Sequence, residues 1–145
     1  MHPAAAGGGV APGWPQGGDK GVSAATAQAR VEFEIPWVPP TLNQLLRLHW
    51  SKRRKMAWTA GAYLIAAGLS RRQPGTRSRV RVTIQMYRKN PTDRDGAQGS
   101  CKVFFDIIRR AGWAVDDSEK WMEQDVLPVI VDRRRPRTKV IIEEI

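Results

Sequence analysis

The 145-residue chain has one cysteine, Cys101, and only two histidines. A single thiol closes no internal disulfide and builds no cysteine zinc cluster, which fits a reducing, cytoplasmic setting. No window approaches the roughly 18 apolar residues that a bilayer span requires, so no membrane partner is expected. Residues 1–30 lack apolar periodicity and are rich in Ala, Gly and Pro, with Gly7-Gly8-Gly9 in one run. Such a stretch buries too little surface to offset its ordering entropy, so residues 1–30 are expected to form a disordered tail. They also lack the continuous apolar segment of a secretory leader. Residues 31–145 are left to form one domain with a modest core.

Acidic residues are scarce in the first two thirds of the chain. Residues 1–92 carry 14 Lys or Arg against three acids (Asp19, Glu32, Glu34), whereas residues 93–145 carry 10 against 11, within a formal net charge of +10. A polyanion such as DNA suits the basic surface, because each neutralised phosphate releases counterions. Charge of this size also serves solubility alone, so it names no function by itself.

The apolar pattern predicts an α+β domain with a small mixed sheet in the order β-α-β-α-β-β. Val31 to Ile35 alternates apolar and acidic residues, and Pro36, Pro39 and Pro40 then force an extended connection. Residues 51–70 read as a helix with Ser51 as N-cap and Met56, Ala60, Tyr63, Leu64 and Ala67 facing inward. Residues 80–86 alternate as a strand with one wet face. Residues 91–96 read as a turn-rich loop, and a second helix is expected over about 100–111, stopped by Gly112. Its inward stripe is Cys101, Phe104, Phe105, Ile108 and Ala111, while Lys102, Asp106 and Arg109 share the opposite face. Val103 and Ile107, apolar outside that stripe, suggest a dimer contact. Two last strands, 127–131 and 140–142, flank a basic loop from Arg133 to Arg137, with Pro128 at a strand start or edge.

Eight of the 14 acids fall between residues 88 and 125: Asp93, Asp95, Asp106, Asp116, Asp117, Glu119, Glu123 and Asp125. Carboxylates repel phosphate, so a DNA-binding surface has reason to exclude them unless a hard cation such as Mg²⁺ or Mn²⁺ bridges the two. Such a cation lowers the pKa of a bound water and offsets charge on the reacting oxygens, as phosphodiester hydrolysis requires. Asp93 and Asp95, two apart in an extended segment, would point to one side and share a metal. Turn chemistry beside Pro91 and Gly96 accounts for the pair equally well. Asp116-Asp117 also suits a solvated turn beside Ser118, and Lys102 with Asp106 suits a surface ion pair.

The ordered set Asp93-Arg-Asp95-Gly, Lys102-Val-Phe-Phe-Asp106, Ala111-Gly112 and Asp116-Asp117 resembles the signature of RusA-like Holliday junction resolvases. Upstream, Pro39-Pro40-Thr41-Leu42-Asn43 and Arg47 are similar to that family's N-terminal element. The likeness spans about residues 31–125. Gly96 stands where many members have Asn, and Ala97-Gln98-Gly99 lengthens the gap to Lys102. The resemblance implies a homodimeric, Mg²⁺- or Mn²⁺-dependent endonuclease that resolves four-way DNA junctions by paired nicks in recombination and repair, in a bacterial or phage setting. By the same resemblance Asp93, Asp95 and Asp117 match the metal-binding carboxylates and Lys102 the essential lysine. Asp116 and Asp106 take supporting positions, and Asn43 and Arg47 a polar element near the site.

Lys52-Arg53-Arg54-Lys55 offers phosphate contacts or simply a solvated basic face, as do Arg71-Arg72. The Arg133–Arg137 loop suits a DNA arm or a blunted turn. His49 beside Trp50 suits packing or backbone contact better than general-base work, and Trp113 suits helix-end packing. Two further readings stay open: a non-catalytic basic DNA-binding module, and a flap or fork nuclease of another superfamily.

Overall fold

A computed structural model of the chain describes residues 30–72, 79–116 and 118–145. The expected tail lies outside the described residues except for Arg30, which opens the first strand. The chain runs β1 (Arg30–Ile35), α1 (Leu42–Arg47), α2 (Trp50–Ala66), β2 (Val80–Arg88), α3 (Arg94–Ser100), α4 (Lys102–Arg110), β3 (Met122–Val126), β4 (Ile130–Val131) and β5 (Arg137–Glu144). The expected α+β class with a mixed sheet is what folds, with four helical segments in place of two.

The sheet is ordered β1-β5-β2-β3, with β4 pairing β2 beyond the end of β3. β1 and β2 flank β5 antiparallel, whereas β3 and β4 run parallel to β2. Alternation decides the two faces. Phe33, Ile35, Val80, Val82, Ile84, Met86, Val140 and Ile142 are buried and join Leu64 of α2 with Phe104 and Ile108 of α4 in one core. On the opposite face Arg30, Glu143, Arg81 and Glu123 stand directly across four strands, in alternating sign. Arg81 donates to Glu123 at 2.6 Å and lies 3.6 Å from Glu143, which lies 3.8 Å from Arg30.

Several boundaries differ from expectation for identifiable reasons. α2 starts one residue before Ser51, because His49 is the cap: its Nδ1 accepts from the Ser51 N–H. It ends at Ala66, not residue 70, since the Leu69 N–H returns to the Leu64 carbonyl and Leu69 enters the core; Ala67 is consequently exposed. The strand expected at 127–131 is shortened to Ile130–Val131. Pro128 has no N–H for a ladder, and it separates β3 from the two-residue β4. β3 escaped notice because Glu123, Gln124 and Asp125 make it polar. β4 and β5 lie on opposite sides of β2, so the Arg133–Arg137 loop crosses over rather than tipping a hairpin.

On α4 the expected inward stripe is buried throughout. Val103 and Ile107 are buried as well, each 8% exposed, so they serve the monomer's own core and not a dimer contact. α4 stops at Gly112 as expected. Its φ is +90°, and a Cβ there would meet the Arg72 carbonyl oxygen at 2.8 Å.

Candidate functional site

Asp93 and Asp95 do not lie in an extended loop. Asp93 is the N-cap of α3, its carboxylate accepting the Gly96 N–H at 2.7 Å, and Asp95 sits in the first helical turn. The local sequence explains the switch: Asp is a preferred cap, and Gly96 leaves room that a Cβ would fill at 2.7 Å from the Asp93 carboxylate. Two positions apart at a helix start do not share one side as they would in an extended segment, so their spacing does not bring the two carboxylates to a common metal. Both aspartates are exposed, and the second Asp93 oxygen has no hydrogen bond among the described residues.

Cys101 ends α3 and begins α4, which places Lys102 at the first position of α4. Lys102 is exposed and Asp106, one turn on, is half-buried. The ion pair that their spacing allowed does not form among the described residues. After α4 the chain turns through exposed Asp116, which accepts the Ser118 N–H at 2.8 Å. Hydrogen bonds from the Ser118 hydroxyl and N–H, helped by Arg109 and Lys120, hold the Asp116 carboxyl below its ordinary range. Asp117, the third expected ligand, lies outside the described residues.

The carboxylates divide into two groups. Glu32, Glu34, Glu123, Asp132, Glu143 and Glu144 all pair with Arg or Lys on the sheet or its edges. Asp93, Asp95, Asp106, Asp116, Glu119 and Asp125 pair with no cation among the described residues, although the protein has ten more basic than acidic side chains. Those residues contain no group of three or more candidate ligands. The donor set is nevertheless of the right kind for Mg²⁺, which takes oxygen ligands, keeps several waters, and needs only one or two carboxylates beside a substrate phosphate.

A second feature lies between residues 37–48 and α2. A cleft of about 880 Å³ is walled by Trp37, Val38, Pro39 and Met56, with Arg47, Lys52, Lys55 and Arg88 among its lining residues. Among the described residues no acidic side chain lines it. Trp37 is fixed from behind, stacked on Tyr63 at 6.2 Å and met edge-on by Phe104 at 6.0 Å. The backbone of the same segment is anchored by the buried Thr138 hydroxyl, which donates to the Trp37 carbonyl at 2.8 Å. Arg88 donates to the Pro39 carbonyl, while its Nε is buried without a partner.

Of the candidate DNA-binding residues, Arg47 and Lys52 are brought together in this cleft. Asn43 is exposed on α1, Arg53 donates to the Leu46 carbonyl, and Arg54 lies 5.4 Å over the Trp50 ring, none of them lining it. Arg88 did leave a signal in the sequence: it continues the inward phase of Val80, Val82, Ile84 and Met86, where a charge needs a reason. Lys55 stood in the basic run without being singled out. Arg72 is structural: it pairs with Glu144 at 3.1 Å and covers the Trp113 ring at 4.2 Å. Trp113 packs at the helix end as expected, its Nε1 donating to the Ser70 carbonyl. Arg137 is likewise engaged, with Asp132 at 2.8 Å and the Tyr87 ring at 3.7 Å.

Neither a scan against protein-family models nor a search of curated proteins finds a match to this chain. No helix among the described residues is long and apolar enough to cross a membrane.

Proposed function

We propose that this protein is a metal-dependent DNA endonuclease of the RusA-like kind, nicking four-way junctions as a homodimer. The observation that carries this reading is the separation of its carboxylates. In a protein so rich in Arg and Lys, acids that serve only surface electrostatics find cations, as the sheet acids do. Four acids of the resolvase-like motif, Asp93, Asp95, Asp106 and Asp116, form no ion pair among the described residues, whereas Glu123 and the other sheet acids do. Carboxylates without ion pairs, together with an exposed lysine in the same motif, suit a hard cation and a phosphate.

In this reading Asp93, Asp95 and Asp117, all three by resemblance, would hold Mg²⁺ or Mn²⁺ near the start of α3. When bound, the metal supplies a water of lowered pKa and draws charge off the phosphate oxygens. Lys102 offers its ammonium to the scissile phosphate or the departing oxygen. Asp106 and Asp116 hold that surface in shape. A homodimer would draw on apolar surface other than Val103 and Ile107; Leu46, Trp50 and Trp58 stand exposed on α1 and α2.

Asp93→Asn is the discriminating variant, because Asn caps a helix about as well as Asp while removing the charge. Nicking of a mobile four-way junction in Mg²⁺ is expected to fall by at least about 100-fold, with stability held within about 0.5 kcal/mol. A variant that cuts at the wild-type rate removes the enzyme from the reading. The second reading, a DNA binder without chemistry, is favoured by the cationic cleft, and it predicts no metal-dependent nicking by any variant.

A further inference from the structure

The cleft beside α2 combines two properties that single ligand types do not need together. An inorganic anion would gain nothing from Trp37, Pro39 and Met56, and an apolar ligand would gain nothing from Arg47, Lys52, Lys55 and Arg88. A ligand carrying both an aromatic plane and negative charge uses both. With a volume of about 880 Å³ and a face open to solvent, the cleft has room for a nucleotide laid against its wall.

We infer that this cleft holds an unpaired nucleotide of a DNA strand, its base against the apolar wall and its phosphates against the four cations. The inference rests on the DNA-binding half of the reading above and is independent of hydrolysis. Arg47, Lys52 and Lys55 form no ion pair among the described residues, so no internal carboxylate has to be displaced. Arg88 adds a separate argument. Burial disfavours its charged form, its side chain reaches only a carbonyl, and its Nε is unpartnered. A partly desolvated guanidinium without a counter-ion is relieved when an anion arrives. Backbone-tracking cations beside apolar surface are the means by which single strands are held without sequence preference. A junction offers such strands where its arms exchange.

Full-length protein would be titrated, in EDTA and across a salt series, into fluorescein-labelled oligo-dT of about ten nucleotides, followed by anisotropy. Three comparisons decide the outcome. Lys52→Glu/Lys55→Glu, two exposed helix positions, should weaken binding at least tenfold. It should also flatten the log–log salt slope by about 1.4, the share of two single-strand phosphate contacts. Arg110→Glu/Lys120→Glu, exposed and outside the cleft but equal in charge change, should weaken it less than threefold. An abasic strand of the same length should bind at least fivefold more weakly, for want of a base. Equal losses in the two double variants, or equal affinity for the abasic strand or for polyglutamate of matched charge, would overturn the inference. Matching circular dichroism and thermal midpoints establish that both variants fold. Strand binding that persists in EDTA while junction nicking is absent in Mg²⁺ would sink the endonuclease reading and leave the cleft assignment standing.

Discussion

Gly112 and Cys101 show at single-residue resolution how tightly α4 is fitted. Gly112 has a left-handed φ and lies against the Arg72 carbonyl, so Gly112→Ala adds both backbone strain and a contact at 2.8 Å that backbone cannot readily relieve. A loss of about 2 kcal/mol or more is expected from urea unfolding. A loss under about 0.5 kcal/mol would mean that the segment after α4 yields freely. Cys101 is fully buried, and burial pushes its thiol up to about 12. It should resist thiol reagents in the native state at neutral pH and react once unfolded. A thiol that stays protonated in the fold but ionises in the unfolded chain stabilises the fold fully below its ordinary value of 9.0. That contribution is lost as pH rises through about 12. Cys101→Ala should therefore show a flatter decline of stability on the alkaline side. Both residues were visible in the sequence as a helix stop and an inward-facing position. Their neighbours were not, because Arg72 lies 40 positions away from Gly112.

At the scale of elements, the sheet's polar face is organised by its charges. Register sets Arg30, Glu143, Arg81 and Glu123 side by side, and the Arg81 guanidinium holds the Glu123 carboxyl below its ordinary 4.5. A carboxyl with a lowered pKa contributes its stability fully above its unfolded value and loses it as pH falls through the lowered one. The gap in thermal midpoint between wild type and Glu123→Gln should thus be largest near neutrality and close as pH falls through the lowered range of the Glu123 carboxyl. A gap that is unchanged there would assign Glu123 no electrostatic part in the sheet. Individual strands announced the alternation of this face. Which charge meets which came from register, and β3 itself was hidden because three of its five residues are polar.

For the molecule as a whole, the proposed metal gives a prediction that does not depend on cleavage. A ligand that binds only the folded state raises stability by about 2.7 kcal/mol at a hundredfold excess over its dissociation constant. Mg²⁺ or Mn²⁺ should therefore raise the thermal midpoint of wild type and leave Asp93→Asn/Asp95→Asn unmoved. Equal shifts in both would place the cation elsewhere. Asp93, Asp95, Asp106 and Asp116 form no ion pair among the described residues, and neither do Arg47, Lys52 and Lys55 of the cleft beside α2. An enzyme acting on a polyanion has use for both, since the cations hold the strand and the carboxylates admit phosphate only with a metal between them.

The amino-acid order alone determined the α+β class, the core stripes of β1, β2 and α4, the helix stop at Gly112 and the asymmetry of charge along the chain. Those properties follow from local periodicity and turn chemistry, which need only near neighbours. Tertiary structure decided that Val103 and Ile107 face the monomer's own interior and that Leu69 leaves α2 to enter the core. It also brought Arg88 to Arg47 and Lys52 around one cleft. These outcomes depend on which elements pack together and on the space left for a side chain, and neither quantity is written in the spacing of residues along a chain.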